Sequence, residues 1–226
     1  MPDITAVAGK VAGIVSLVAF VPYILAILRG ETKPNRATWW IWTVVGFMLG
    51  ASYFSSGANH TIWVPVSYII GPLATAILSI KYGEGGWTRF DKCCLLGAGV
   101  SMVLWWMFSS PLIALIINLF IDFMGALPTI RKAYYEPESE DRTAWTLFFA
   151  GNTTNLFAVE SWTFAIAVYP IYMFFGSGLI TAFIFIRRNH KAKAKSTTRH
   201  VFGPLAGFFF LIYYFIFHTI HLVFAS

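Results

Sequence analysis

The chain carries the same passage twice, and the second copy lies 106 residues after the first. Pro22, Ile24, Arg36 and Trp39 of VPYILAILRGETKPNRATWWIW return as Pro128, Ile130, Arg142 and Trp145 of LPTIRKAYYEPESEDRTAWTLF. After a slip of one residue the match resumes, with Pro65 and Gly71 set over Pro170 and Gly176. A duplication of this length calls for a fold of two like units. In membrane proteins such units meet around a site near the bilayer midplane, with prolines at matching depths.

The setting for these units follows from polarity. With 58% hydrophobic and 12% charged residues and a mean hydropathy of +0.68, the chain has too little polar surface to cover a soluble globule of 226 residues. Apolar stretches of crossing length, roughly 17–25 residues, recur at 5–28, 37–55, 61–81, 92–108, 111–133, 143–159, 161–186 and 202–224. The apolar run from Cys93 to Met124 is too long for one crossing and turns at Ser109 to Pro111. The first stretch lacks a basic leader and exceeds a signal-peptide core, so it reads as helix 1 rather than as a cleaved export signal. Charge sets the orientation. Fifteen of the sixteen Lys and Arg residues fall in the connections 1–2, 3–4, 5–6 and 7–8, and only Lys10 lies elsewhere. This asymmetry places that face in the cytoplasm and both termini outside. The net charge of +6 thus reports topology rather than nucleic-acid binding, and the run Arg187 to His200 reads as a topogenic loop on anionic lipid.

The expected fold is an all-α integral membrane protein of eight transmembrane helices. Two parallel three-helix bundles, 1–82 and 110–187, are joined by a linker helix within 83–109 and followed by a basic loop and an eighth helix, 188–226. The single linker restores the parallel orientation that an odd number of helices would otherwise invert. This 3+1+3 layout has an outside amino terminus and a proline near the cytoplasmic end of helices 1 and 5, before a short polar loop. It resembles the PQ-loop superfamily, which includes SWEET sugar transporters, lysosomal amino-acid exporters and the KDEL receptor. The resemblance covers about residues 5 to 187. Pro22 is followed here by Tyr23 and Pro128 by Thr129. Where SWEET proteins place asparagines in helices 3 and 7, the comparable stretches offer Tyr68 and Tyr172. The resemblance implies the bundle architecture and transport of a small solute without singling out a sugar.

Asp122 is the residue that costs most in lipid. It stands about eleven residues, or about 16 Å, from either surface, where a carboxylate needs a cavity, a partner or a proton. Asn118 lies one turn away on the same face. The pair either lines an ion or proton path or ties helix 5 to a neighbour. Asn152 and Asn155 share a face of helix 6, and their amides can serve a hydroxylated or zwitterionic solute or equally bond adjacent helices. Tyr68, Tyr172 and Trp42 complete the substrate-binding set. Pro22, Pro128, Pro65 and Pro170 form two matched pairs whose missing hydrogen bonds permit bending, as gating points or as static kinks. Trp39, Trp40, Trp145 and Trp63 read as interfacial anchors, and Gly46 with Gly50 as a close-packing surface.

His218 and His221, even with Glu160 or His60, make an incomplete ligand set, so no metal is expected. No Ser/His/Asp set, phosphate-cradling loop or HExxH helix is present, so neither a catalytic site nor a cofactor is expected. Helix 7 also lacks the lysine a retinal protein needs. The reading is a multi-pass transporter of a sugar, amino acid or vitamin-like solute by alternating access, proton-linked through Asp122. Its partners are the small polar solute and membrane lipid, with a homo-oligomer left open. The rival reading is a receptor or sorting protein on the same scaffold that binds without translocating.

Overall fold

The two copies of the repeated passage fold alike because each begins a helix. Asn35 and Asp141, 106 residues apart, are both N-caps: Asn35 Oδ1 accepts from the Thr38 amide at 3.0 Å, and Asp141 Oδ1 from the Ala144 amide at 2.6 Å. A computed structural model of the chain describes residues 3–193, and among these the side chains of all but 90, 91, 94, 98, 101 and 189–193. Its helices are α1 (Ile4–Leu28), α2 (Arg36–Ser55), α3 (Trp63–Tyr82), α4 (Arg89–Phe108), α5 (Pro111–Tyr135), α6 (Arg142–Leu156) and α7 (Phe164–Lys193). The described residues up to Asn189 form one unit. The eighth stretch at 202–224, with His218 and His221, and the basic run beyond residue 193 lie outside the described residues.

The chain is all-helical over the described residues, with one isolated parallel bridge between Asn35 and Glu84. Ile4–Leu28, Trp63–Tyr82, Pro111–Tyr135 and Phe164–Arg188 are long and apolar enough to cross a membrane. The other three described helices fall short by the same measure: α2 is diluted by tryptophans, glycines and hydroxyl-bearing residues, α4 carries Arg89, Asp91 and Lys92 at its start, and α6 has only 15 residues. Between α6 and α7 the connection runs over 157–163, longer than the break expected at Glu160 and Ser161. The turn at Ser109 falls where the sequence places it, with Ser109 at φ 49 and Pro111 opening α5.

Packing repeats as the sequence does. α1 lies on α6 and α2 on α5, while α3 touches both α1 and α2. Exchanging the two copies turns the α1–α6 contact into the α5–α2 contact. The running directions follow from paired levels: Ser16 beside Gly151 and Tyr23 beside Glu140 set α6 against α1, while Ile41 beside Gly125 and Trp42 beside Asp122 set α5 against α2. Asp122 beside Tyr172 and Tyr134 beside Arg187 align α7 with α5. α4 packs on α5 and α2.

The close approach of α1 to α3 depends on glycines that sequence reading passed over. Gly9 and Gly13 form a small-xxx-small pair facing His60 and Trp63; a Cβ at Gly13 would sit 2.6 Å from the Trp63 Cβ and 2.8 Å from its carbonyl oxygen. Gly46 and Gly50 play this part for α2 against α3, beside Tyr68 and Ile69. Gly13→Val is therefore expected to lower stability by about 1–3 kcal/mol through overpacking. Gly99→Val, on exposed α4 with nothing within 4 Å of its added Cβ, is the neutral comparison. Thermal unfolding in detergent distinguishes them, and equal midpoints would discount the glycine contact.

The four prolines are not placed alike in their helices. α3 begins at Trp63, so Pro65 sits in the first turn, where a missing N–H removes no helical bond. Pro72 is the interior proline of α3, beside Pro22, Pro128 and Pro170 in α1, α5 and α7. The carbonyls four residues earlier meet different fates. Pro170 frees the Ile166 carbonyl, which accepts from the buried Tyr53 hydroxyl at 2.6 Å. Pro72 frees the Tyr68 carbonyl, which faces Gly46; a Cβ there would lie 3.0 Å from that oxygen.

Candidate functional site

Polar side chains in the middle of these helices are expensive wherever water is absent, so their partners decide what they do. Asp122 is half-buried on α5 and its Oδ2 accepts from the Tyr172 hydroxyl of α7 at 2.6 Å. From α2, the Trp42 indole donates to the Asp122 backbone carbonyl at 3.3 Å. Three of the predicted site residues thus meet at one point between α2, α5 and α7. Asn118, one turn before Asp122, is buried and its amide donates to the Ala114 carbonyl at 2.9 Å.

A second polar group lies between α6, α3 and α7. The Asn152 amide donates to the Tyr68 hydroxyl at 3.1 Å and to Ser177 Oγ at 3.2 Å. Its donors are thereby occupied, while its Oδ1 stays buried without a partner. Asn155 is buried with neither amide atom partnered, and so is the Ser16 hydroxyl, on α1 beside Gly151. Such atoms in a native interior call for a water or a ligand. Ser16 is also the residue 106 positions before Asp122, so the repeat marks both poles. Sequence reading missed Ser16 and Ser177, and the repeat offset was the signal that would have found Ser16. Tyr172 and Ser177, on one helix, link the two groups.

Aromatic rings close the layer on both sides. Toward the end carrying the α1–α2 and α5–α6 loops stand Phe20, Phe148, Trp39 and Trp145, with Phe20 and Phe148 ring centres 4.7 Å apart and Trp39 and Trp42 5.0 Å apart. Toward the other end, Tyr53 and Tyr169 lie 5.1 Å apart. Trp39 and Trp145 are therefore not interfacial anchors: they are 2% and 5% exposed, turned inward onto Tyr23 and Phe148. Trp63, 43% exposed, retains the surface position expected of an anchor.

No family model matches the chain, nor does any curated protein or solved structure.

Beyond the aromatic layer, the basic end is held by a buried ion cluster. Lys132 Nζ lies 2.9 Å from Glu84 Oε1 and 3.3 Å from Glu140 Oε1, and it also contacts the Lys33 carbonyl. Glu140 Oε2 accepts from Tyr23 at 3.1 Å and from the Trp145 indole at 3.0 Å. Arg188 binds the carbonyls of Pro137 and Glu140. One lysine thus joins the α1–α2, α3–α4 and α5–α6 connections. Arg36 adds to the closure by donating to the carbonyls of Ser79, Gly83 and Gly85 at the end of α3. Its repeat partner Arg142 finds no such free end, because α7 continues to Lys193, and it rests over the Phe185 ring at 5.3 Å.

Burial raises the Glu140 carboxyl above the usual glutamate range, against the opposing pull of Lys132 and of the Trp145 and Tyr23 donors. A raised folded value means that the folded chain holds the proton more tightly. This contribution to stability is whole below the ordinary glutamate value, about 4.3, and is lost as pH climbs through the raised one. Unfolding midpoints across that window should fall with pH in the native chain and flatten in Glu140→Gln. An unaltered slope in the variant would assign the effect to another group.

At the opposite end Glu160 Oε1 accepts from the backbone amides of Asn59 and His60, and His60 Nδ1 lies 2.7 Å from Thr5 Oγ1. Glu160 thereby ties the α6–α7 connection to the start of α3. Among the described residues no group of three His, Cys, Asp or Glu side chains is placed to hold a metal.

Proposed function

We propose that the chain is a multi-pass membrane transporter of a small polar solute, built on a PQ-loop-like scaffold of two parallel three-helix bundles. In this reading α1–α3 and α5–α7 are the bundles, α4 is the linker, and residues 202–224 add an eighth crossing. The basic connections face the cytoplasm and both termini face outward. The solute sits between Asp122 and the Asn152–Asn155 face and moves by alternating access. The observation that supports this most is the placing of the polar layer at the α1–α6 and α2–α5 contacts, which exchange under the repeat. The layer also holds four buried amide or hydroxyl atoms without partners. Rocking one copy against the other would open the layer first to one end and then to the other. In this reading the Lys132 cluster closes the cytoplasmic end.

Counterflow is the decisive experiment. Vesicles containing the purified chain are loaded with an unlabelled solute identified by thermal-shift screening, and entry of the labelled solute is followed. Transient accumulation above equilibrium is expected. Binding without any flux would instead assign the scaffold to a receptor.

A further inference from the structure

The chemistry of the solute can be narrowed from what surrounds Asp122, granted the transport reading above. An ionised carboxylate offers about four acceptor sites, and the Tyr172 hydroxyl takes one of them. Among the described residues no Lys, Arg or His lies within ion-pair distance of it; the ion pairs of the protein gather at the two ends. The groups that touch Asp122 are aromatic: Tyr172 of α7 donates to its carboxylate and Trp42 of α2 to its backbone carbonyl, while Tyr169 of α7 and Tyr68 of α3 lie within electrostatic reach. Among the described residues these three tyrosines are the titratable groups that interact with it. On α4, which packs against α5, the described charges Arg89 and Lys92 lie exposed near its start.

An anion would be repelled by the ionised carboxylate, and a neutral polyol would fit only beside the protonated acid and leave the charge of the ionised form without a use. An organic cation satisfies both elements at once, since its charge pairs with the carboxylate and its alkyl or planar surface rests on the rings. We propose that the transported solute carries an ammonium or guanidinium group, and that this group and a proton compete for the carboxylate of Asp122. Asn152 Oδ1 and the Asn155 amide, unpartnered and buried, receive a hydroxyl or carbonyl elsewhere on the same molecule. The two occupants of Asp122 exclude each other. Arrival of the cation releases one proton and departure recovers one, so exchange is one for one and leaves the charge at the site unchanged.

The test uses the purified full-length chain in detergent and two probes of equal shape: choline, and its uncharged carbon analogue 3,3-dimethylbutan-1-ol. Binding is read from thermal midpoints and from tryptophan fluorescence between pH 5 and 8.5. Choline is expected to bind at the alkaline end and to weaken about tenfold per pH unit once the carboxyl is protonated. The analogue should not register. Asp122→Glu should retain choline, and Asp122→Asn, with its fold checked by circular dichroism, should lose it. Equal binding of the two probes, or choline affinity in Asp122→Asn with native pH dependence, would overturn the proposal. So would indifference to choline, tetramethylammonium and arginine alike. If a neutral solute binds and shows counterflow while no cation does, the cation class fails and transport stands; cation binding without counterflow has the reverse meaning.

Discussion

Asp122→Asn is expected to abolish pH-driven uptake into proteoliposomes while leaving the chain folded. The amide keeps an oxygen for the Tyr172 hydroxyl, 2.6 Å away in the native protein, and leaves the backbone carbonyl that receives the Trp42 indole untouched. Only the charge and the exchangeable proton are removed. The loss of a charge-pair contact is worth about 2–5 kcal/mol where both groups are desolvated, enough to remove measurable binding of a weak solute. Uptake driven by an imposed pH difference should therefore vanish, and residual equilibration should no longer respond to pH. A variant whose uptake keeps its native response to pH would take Asp122 out of the mechanism.

The largest effect on stability is expected from Lys132→Ala. Lys132 is 8% exposed and Glu140 1%, so the substitution strands a carboxylate in the protein interior with only the Tyr23 and Trp145 donors. Breaking one side of a buried ion pair costs about 3–5 kcal/mol, whereas replacing both sides by neutral groups of similar size costs far less. Unfolding in detergent should thus show a deep loss for Lys132→Ala. The pair Lys132→Met with Glu140→Gln should recover most of it, since Glu84 on the far side of the lysine is 38% exposed and can be solvated. Additive losses in the double variant would mean that the two side chains are not coupled.

The sequence disclosed most where a physical requirement left one residue type few alternatives. Asp122, Trp42, Tyr172, Tyr68 and Asn152 could be picked out because polar groups in long apolar helices are few, and the fold brings them into two linked hydrogen-bonded groups. The duplicated passage announced a two-fold organisation, which the fold expresses in the exchangeable α1–α6 and α2–α5 contacts and in Asn35 and Asp141 starting equivalent helices. Which way a side chain turns was much less legible. Trp39 and Trp145 stand at interface depth yet point inward, which amphipathic rings near a loop do not reveal. The Lys132 cluster joins positions 33, 84, 132 and 140, a union that arises only when three loops meet in space. Pro65 misled because helix starts are uncertain by a residue or two, and that margin separates an interior position from a first turn.

The unequal treatment of the two proline-freed carbonyls has a mechanical corollary. Bending α7 at Pro170 must first part a 2.6 Å bond from Tyr53, whereas at Pro72 the liberated oxygen of α3 faces the backbone of Gly46. Of these two joints, the one in α7 is the more tightly fastened. In the proposed rocking of one copy against the other, α3 would serve as the arm and the bolted α7 as the pivot.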